Sequence, residues 1–156
     1  MYDASAVSSD SLALDRQLCF ALYATSRAMT RAYGPPLARL GVTYPQYLVL
    51  LVLWNEDNLT VSGVGERLFL DSGTLTPLLK RMETQGIVTR RRDADDERSV
   101  RVSLTAAGKS LRRKAQGVAR EVACSLSIKP SEVDLLRGPL RKILLRFHAS
   151  ERPVTT

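Results

Sequence analysis

Residues 60–105 read TVSGVGERLFLDSGTLTPLLKRMETQGIVTRRRDADDERSVRVSLT, and this stretch decides the fold. It begins with a short helix that Thr60 can cap, continues through a turn at residues 70–73, and then enters a second amphipathic helix at residues 74–85. Gly86 ends that helix. Two short helices joined by a tight turn that contains glycine predict a helix-turn-helix.

The rest of the stretch predicts a β-hairpin. Residues 87–92 form a run typical of a strand, residues 93–98 form a charged loop, and residues 99–104 alternate apolar and polar side chains. A hairpin directly after a helix-turn-helix is the wing of a winged helix. The sequence therefore predicts a mostly α-helical fold with a small β-wing.

Helices are also predicted before the winged helix. Asp10 or Ser11 can cap a first helix from Leu12 to about Tyr33, where a Gly-Pro-Pro run ends it. A short second helix is expected before Gly41.

The most apolar segment of the chain lies at residues 47–54, after Thr43 and Pro45. Thr43 can cap a third helix whose first turn contains Pro45, where the missing N–H costs nothing. Because the segment is apolar on nearly every side, we predict a buried central helix with Trp54 in the core. A buried strand is an alternative interpretation of the same residues.

The chain after the wing predicts two further helices. Thr105 can cap a long basic helix to about Leu126, and residues 130–147 form the last helix. The Gly-Pro pair at residues 138–139 is expected to kink or split that helix. His148 is expected on the surface.

These elements predict five parts of the chain. They are a flexible tail at 1–10, N-terminal dimerisation helices at 11–40, the winged helix-turn-helix DNA-binding region at 41–105, C-terminal dimerisation helices at 106–148 and a tail at 149–156.

The composition favours a polyanionic partner. The 156 residues include 23 Lys and Arg against 16 Asp and Glu, a net charge of +7. Nucleic acid is the commonest partner of such a protein, although many basic proteins bind none.

Several classes of protein are not indicated. The longest apolar run is far shorter than the roughly 20 residues that a bilayer requires, and no secretory signal is evident, so a cytoplasmic location with no membrane partner is expected. With only Cys19, Cys124 and His148, and no Cys-x-x-Cys motif, neither a disulfide scaffold nor a metal site is expected. We expect no cofactor and no enzymatic activity.

Candidate DNA contacts lie first on the second helix of the helix-turn-helix, which would be the recognition helix. Its N-terminal side chains are expected to face base edges, and its later cations to face phosphates. These residues are Ser72, Thr74, Thr76, Pro77, Lys80 and Arg81. Hydroxyl residues also start ordinary helices, so the signal is weak without the wing.

The start of this helix is open between two positions. If Thr74 is the cap, Pro77 lies in the first turn and removes no hydrogen bond. If the helix starts at Ser72, Pro77 lies beyond the first turn, and a bond is lost or the helix bends.

The predicted wing supplies a second group of candidate DNA contacts. The cations are Arg90, Arg91, Arg92, Arg98 and Arg101. An arginine at a hairpin tip can enter the electronegative minor groove, and Arg98 lies at the predicted tip. Asp96 is expected to pair with Arg98 and hold it. A solvated charged loop without such a role is the alternative.

Four segments resemble a known family. Residues 96–105 (DERSVRVSLT) resemble the D-x-R-x-x-x-V-x-L-T wing signature of MarR-type regulators. Residues 18–23 (LCFALY), 43–49 (TYPQYLV) and 70–80 (LDSGTLTPLLK) are similar to the OhrR regulators of organic hydroperoxide resistance. The resemblance covers about residues 12–147.

The resemblance implies a redox-sensing transcriptional repressor. Cys19 occupies the position of the peroxidatic cysteine, which a hydroperoxide oxidises to a sulfenic acid. Tyr33 and Tyr44 match tyrosines that hydrogen-bond that sulfur. Cys124 matches the resolving cysteine of the two-cysteine subgroup, which forms a disulfide with Cys19 of the other subunit. The oxidised homodimer would then release a pseudo-palindromic operator that controls a peroxidase gene.

Physical chemistry constrains this interpretation. Cys19 has apolar neighbours in sequence and lies two turns or more from the predicted helix start, where the helix dipole has faded. Arg16 is the only charge nearby, so tyrosine hydroxyls would have to stabilise a thiolate. Tyr33 lies 14 residues further on, about 21 Å along the same helix, so the two meet only across an antiparallel dimer.

Three alternatives stay open. Cys19 can be a buried, inert cysteine. The protein can be a MarR-type repressor that binds a phenolic or carboxylate ligand non-covalently, with Tyr33 and Tyr44 lining its pocket. It can also be a two-cysteine thiol peroxidase, although such an enzyme has no use for the wing. Gly63 and Gly65 depart from a good helix former and are each expected to weaken their helix by up to ~1 kcal/mol.

Overall fold

The computed structural model describes residues 12–94 and 96–151, with side chains as far as His148. A 3-10 helix at Leu14–Arg16 precedes the first α-helix. The helices are α1 (Leu18–Ala32), α2 (Gly34–Ala38), α3 (Tyr44–Asn55), α4 (Val61–Leu68), α5 (Ser72–Thr84), α6 (Ala106–Ala115), α7 (Val118–Ser125) and α8 (Pro130–Glu151). The strands are β1 (Leu59–Thr60), β2 (Val88–Arg92) and β3 (Val100–Leu104). The mostly α-helical fold with a small wing is confirmed.

The three strands form one antiparallel sheet in the order β1-β3-β2. In the predicted wing hairpin, Val88 pairs with Leu104 and Arg92 pairs with Val100. Strand β1 was not predicted, because two residues are too few to show an alternating pattern. It pairs with Val102 and Arg101 of β3 and so ties the wing to the start of α4.

Helix α3 is the centre of the core, and the alternative of a buried strand is wrong. Val49, Leu50 and Leu53 are buried on it and belong to the same apolar cluster as residues of α5. The predicted helix start is confirmed, since Thr43 is the N-cap and its N–H donates to the side chain of Gln46. Trp54 is only half-buried at the edge of the core, because its indole N–H donates to the carbonyl of Gly108.

The helix-turn-helix forms as predicted, and the structure settles its register. Helix α5 starts at Ser72, which is the second of the two predicted alternatives. Its cap is Asp71, whose carboxylate accepts the N–H of Thr74 at 2.7 Å. Pro77 therefore lies inside the helix, and the carbonyl of Gly73 has no N–H at its usual partner position.

Helix α4 forms despite its two glycines. Thr60 caps it by accepting the N–H of Gly63. Gly65 serves the turn that follows, since a Cβ atom there would lie 2.7 Å from the carbonyl oxygen of Leu70. The turn itself passes through Phe69 in the left-handed conformation, with φ of 55°.

The predicted start of the first helix is wrong. Gln17 is extended, and α1 begins at Leu18 instead of Leu12. Leu12 and Leu14 are 88% and 60% exposed, so these residues lack the apolar packing that stabilises a short helix. The proposed caps, Asp10 and Ser11, lie outside the described residues. The short second helix before Gly41 is confirmed.

Two predictions on the C-terminal half are also wrong. The long helix from Thr105 to Leu126 is divided into α6 and α7, and Gly117 at the break is a poor helix former. The predicted split of α8 at residues 138–139 is wrong, because Pro139 removes only one hydrogen bond from a helix of 22 residues, whereas the predicted kink there stays a prediction. Across the described residues, no helix combines the length and the apolar composition that crossing a bilayer requires.

Candidate functional site

Two of the predicted tyrosines meet where α1 ends and α3 begins. Tyr33 follows the last residue of α1 and Tyr44 is the first residue of α3, and their ring centroids are 4.9 Å apart. Tyr47, one turn after Tyr44, joins them with its ring 5.9 Å from that of Tyr33. Tyr47 was not among the predicted site residues, although the i+3 spacing of Tyr47 from Tyr44 places both tyrosines on one helix face.

Burial and neighbouring phenols raise the pKa of two of these tyrosines, Tyr44 and Tyr47. Burial raises the pKa of Tyr44, and the neighbouring Tyr33 raises it further. Burial raises the pKa of Tyr47 in the same way, with further contributions from Tyr33 and Tyr44. At neutral pH the hydroxyl groups of Tyr44 and Tyr47 are therefore able to donate hydrogen bonds.

Cys19 has a different environment from the one that the sequence predicted. It is the second residue of α1, not two turns inside a helix, and its side chain is exposed. The N–H groups of a first helical turn and the positive end of the helix dipole favour negative charge at such a position. The alternative of a buried, inert cysteine does not describe this chain.

The structure does not bring the predicted sensing residues together within one chain. Cys19 and Tyr33 lie at opposite ends of α1, about 21 Å apart along its axis at 1.5 Å per residue. Cys124 is exposed near the end of α7, and both thiols are free. Contact between Cys19 and Tyr33 therefore requires a second chain.

The predicted recognition-helix residues are largely accessible. Ser72, Pro77, Lys80 and Arg81 are exposed, as is Thr74, whereas Thr76 is half-buried. The N–H of Thr74, followed by its hydroxyl group, holds the pKa of the Asp71 carboxyl below its usual range.

The wing arginines fall into two groups. Arg90 donates through Nη2 and Nε to Glu83 of α5 at 2.8 and 2.9 Å, and Arg101 pairs with the buried carboxylate of Asp93. Both hold the sheet in place. Arg91, Arg92 and Arg98 are exposed, and no ion pair of the described residues includes them.

Asp96 organises the wing tip in an unexpected way. Its carboxylate accepts the backbone N–H of Arg98 at 3.0 Å and the hydroxyl group of Ser99 at 2.7 Å. The predicted Asp96–Arg98 ion pair is absent among the described residues. The backbone of the loop is fixed, and the Arg98 guanidinium is left for another partner.

One groove of about 810 Å³ unites the recognition helix and the wing. Its lining includes Ser72, Thr76 and Arg98. His148 also lines it, with its ring 4.6 Å from that of Phe69, so it is half-buried and not simply on the surface as predicted. Side chains suited to bases and phosphates therefore share one face of the molecule.

Comparison with known proteins adds independent information. The family model described as transcriptional regulator SarA/Rot matches residues 31–114. The organic hydroperoxide resistance transcriptional regulator of Bacillus subtilis is 48% identical over 139 residues, which cover 89% of this chain and 95% of that protein.

Solved structures agree with the fold. The structure of reduced AbfR bound to DNA superposes with a TM-score of 0.75 at 34% identity, covering 89% of this chain and 95% of that one. The structure of disulfide-formed AbfR has a TM-score of 0.61 at 37% identity, covering 84% and 92%. AbfR is a protein of Staphylococcus epidermidis.

Proposed function

The chain belongs to the OhrR/MarR type of winged-helix transcriptional regulators, and we propose that it is a homodimeric repressor that releases its operator when an organic hydroperoxide oxidises Cys19. The observation that carries this proposal is the exposed thiol of Cys19 in the first turn of α1. An exposed thiol at the start of a helix is accessible to a hydroperoxide from solution.

The chemistry requires no cofactor. The Cys19 thiolate attacks one oxygen of the hydroperoxide, the O–O bond breaks, and the products are a sulfenic acid and an alcohol after protonation. The Cys124 thiol of the other subunit then attacks the sulfenic sulfur, forming a disulfide and releasing water. A cellular thiol restores both cysteines by exchange. In this proposal each chain is oxidised once per signal and acts as a regulator, not as an enzyme.

The surroundings of Cys19 favour an organic substrate. Leu18, Phe20 and Leu22 are exposed around it in α1. This apolar surface suits the alkyl part of an organic hydroperoxide better than hydrogen peroxide.

A second chain completes the proposed site. The exposed apolar side chains of α1 and α8 provide a large surface for dimerisation. An antiparallel arrangement of α1 and its counterpart would bring the partner's pair of tyrosines near Cys19. Their protonated hydroxyl groups would then donate to the sulfur.

The DNA-binding mode follows from the winged helix. Each subunit would place α5 in the major groove, with Ser72, Thr74 and Thr76 near base edges and Lys80 and Arg81 near phosphates. Arg98 would enter the minor groove. A dimer would read a pseudo-palindrome with half-sites about one helical turn, or a multiple of it, apart. The controlled gene is proposed to encode a thiol-dependent peroxidase.

The proposal is tested with purified protein, operator DNA and cumene hydroperoxide. Wild type is expected to release the operator on oxidation and to bind again after dithiothreitol. Cys19→Ser is expected to bind with unchanged affinity and to ignore the peroxide, because the hydroxyl group cannot form a sulfenic acid. Cys124→Ser is expected to lose the covalent dimer on a non-reducing gel.

Three outcomes contradict the proposal. Peroxide-induced release by Cys19→Ser removes the sensing role of this residue. Release by a phenolic or carboxylate compound that reductant does not reverse, with no response to peroxide, favours the non-covalent repressor. Repeated peroxide turnover with a reductant favours the thiol peroxidase.

A further inference from the structure

Gln46 is an unusual residue in the core of this protein. Its side chain is 4% exposed, and with Asp93 it makes up the buried polar side chains of the described residues. It lies at the N3 position of α3, among apolar neighbours. A buried amide is stable only if its donor and acceptor groups are both satisfied, so its partners define what it holds together.

The oxygen of Gln46 is bound at the end of the molecule that contains the tyrosines. It accepts the N–H of Thr43 at 2.8 Å, which fixes the start of α3. Tyr44 directly follows Thr43, and its ring packs on that of Tyr33. A displacement of the tyrosine pair therefore acts on the turn of helix that Gln46 closes.

The nitrogen of Gln46 is bound to the recognition helix. It donates to the side-chain oxygen of Gln85 at 2.7 Å. Gln85 is the C-cap of α5, and Gly86 with φ of 69° follows it before the chain enters the wing. This single bond joins the start of α3 to the hinge between α5 and β2.

We propose that the Gln46–Gln85 hydrogen bond is the positioning link through which the tyrosine pair sets the orientation of the recognition helix. The inference rests on the proposed function, because it names the path from oxidised Cys19 to the DNA-binding surface. Gln85 acts through Gln46 and does not contact the sulfur.

Directionality distinguishes this bond from the rest of the α3–α5 contact. Most of that contact is apolar, and apolar side chains tolerate small sliding movements. A hydrogen bond weakens steeply when its angle changes. Gln85 is exposed, but Gln46 is buried, so breaking this bond leaves the Gln46 amide N–H group without its partner in a partly desolvated position. An open groove of about 1020 Å³ beside the pair is lined by Thr43, Gln46, Arg81 and Gln85.

The test uses full-length protein and measures operator affinity before and after oxidation by cumene hydroperoxide. Gln85→Met keeps the length of the side chain but removes the acceptor. When reduced, this variant is expected to bind the operator with an affinity within about twofold of wild type. Its ratio of reduced to oxidised operator affinity is expected to be at least about fivefold smaller than that of wild type, which corresponds to the loss of one net hydrogen bond.

Two variants make this result specific. Gln85→Glu retains an acceptor for Gln46 and is expected to restore the wild-type ratio, even if its added charge lowers affinity in both states. Gln116→Met is the matched control, since Gln116 is an exposed C-cap on α6, and its ratio is expected to equal that of wild type.

The failure of this link is distinguishable from the failure of the proposed function. If wild type responds to peroxide and Gln85→Met responds equally, the link is wrong and the sensor stands. If wild type shows Cys19 oxidation by mass spectrometry but no change in operator affinity, both proposals are wrong. Loss of the ratio in Gln116→Met would also overturn the link, because the effect would not be specific to Gln85.

Discussion

At the scale of single residues, five arginines of similar sequence context have different tasks. Glu83 holds Arg90, and Asp93 holds Arg101, so these two cations stabilise the wing. Arg98 is exposed at the tip, and its backbone is fixed by Asp96. A fixed loop that leaves its cation unpaired suits a contact with DNA more than a contribution to stability.

Arg98→Ala is therefore expected to weaken operator binding without lowering thermal stability. If the guanidinium neutralises one phosphate or lies in the minor groove, the slope of log K against log salt falls by about 1. Titrations of operator DNA at several salt concentrations measure this slope. Arg137→Ala on α8 is the matched control, and an unchanged slope in Arg98→Ala would exclude the contact.

At the scale of helices and strands, close backbone contacts decide the geometry of the helix-turn-helix. Gly65 lies where a Cβ atom would meet the carbonyl of Leu70 at 2.7 Å. The same carbonyl belongs to the turn that leads to Asp71, the cap of the recognition helix. Gly65 is a poor helix former in α4, but its lack of a side chain sets the distance between α4 and α5.

Gly65→Ala is expected to destabilise the protein by about 1–3 kcal/mol, because the added methyl group forces the turn to move. Gly138→Ala is the matched control on a helix. Outside its chain neighbours and the backbone of its own helix, no atom lies within 4 Å of its Cβ position. Because a Cβ directly before Pro139 is disfavoured in a helix, alanine there is expected to change stability by less than about 1 kcal/mol. Thermal or urea unfolding of the reduced protein measures both. Equal stability of the two variants would show that the turn adapts freely.

Elements with local signals were predictable from the sequence. The caps at Thr43, Thr60 and Thr105 and the alternating pattern of β3 depend on neighbouring residues and are confirmed. The start of α1 and the break at Gly117 depend on which surfaces are packed, and a single propensity pattern does not contain that information.

The residues of the candidate site were predictable from the sequence where local patterns reveal them, but their long-range contacts were not. The pairing of Tyr33 with Tyr44 follows from the short α2 between their helices, and the sequence analysis selected both. The link from Gln46 to Gln85 joins residues 39 positions apart, so no local pattern reveals it. The partners of Arg90 and Arg101 were hidden for the same reason.

At the scale of the whole molecule, α8 presents an apolar seam that one chain leaves uncovered. Leu136, Leu140, Leu144 and Phe147 follow one another at spacings of four, four and three residues, and each is at least 40% exposed. This spacing places them on one face of the helix. Together with the exposed leucines of α1, such a stripe supports a dimer interface that buries both helices.

Leu140→Glu is expected to separate the dimer, because a carboxylate in the middle of the seam loses its hydration on association. Analytical ultracentrifugation at micromolar concentration should show a monomer. Operator affinity should fall, since a single winged helix reads only one half-site. The Cys19–Cys124 covalent dimer should also disappear from the non-reducing gel, because the two thiols come from different subunits.

Leu135→Glu is the control that separates burial from charge. Leu135 lies on the same helix and is 74% exposed. Because it is five residues from Leu140, its side chain points about 140° away from that of Leu140. This variant is expected to remain dimeric and to keep its response to peroxide. A dimer that survives Leu140→Glu places the interface elsewhere. A covalent Cys19–Cys124 link within isolated monomers would show that the proposed exchange between subunits is wrong while leaving the DNA-binding fold unaffected.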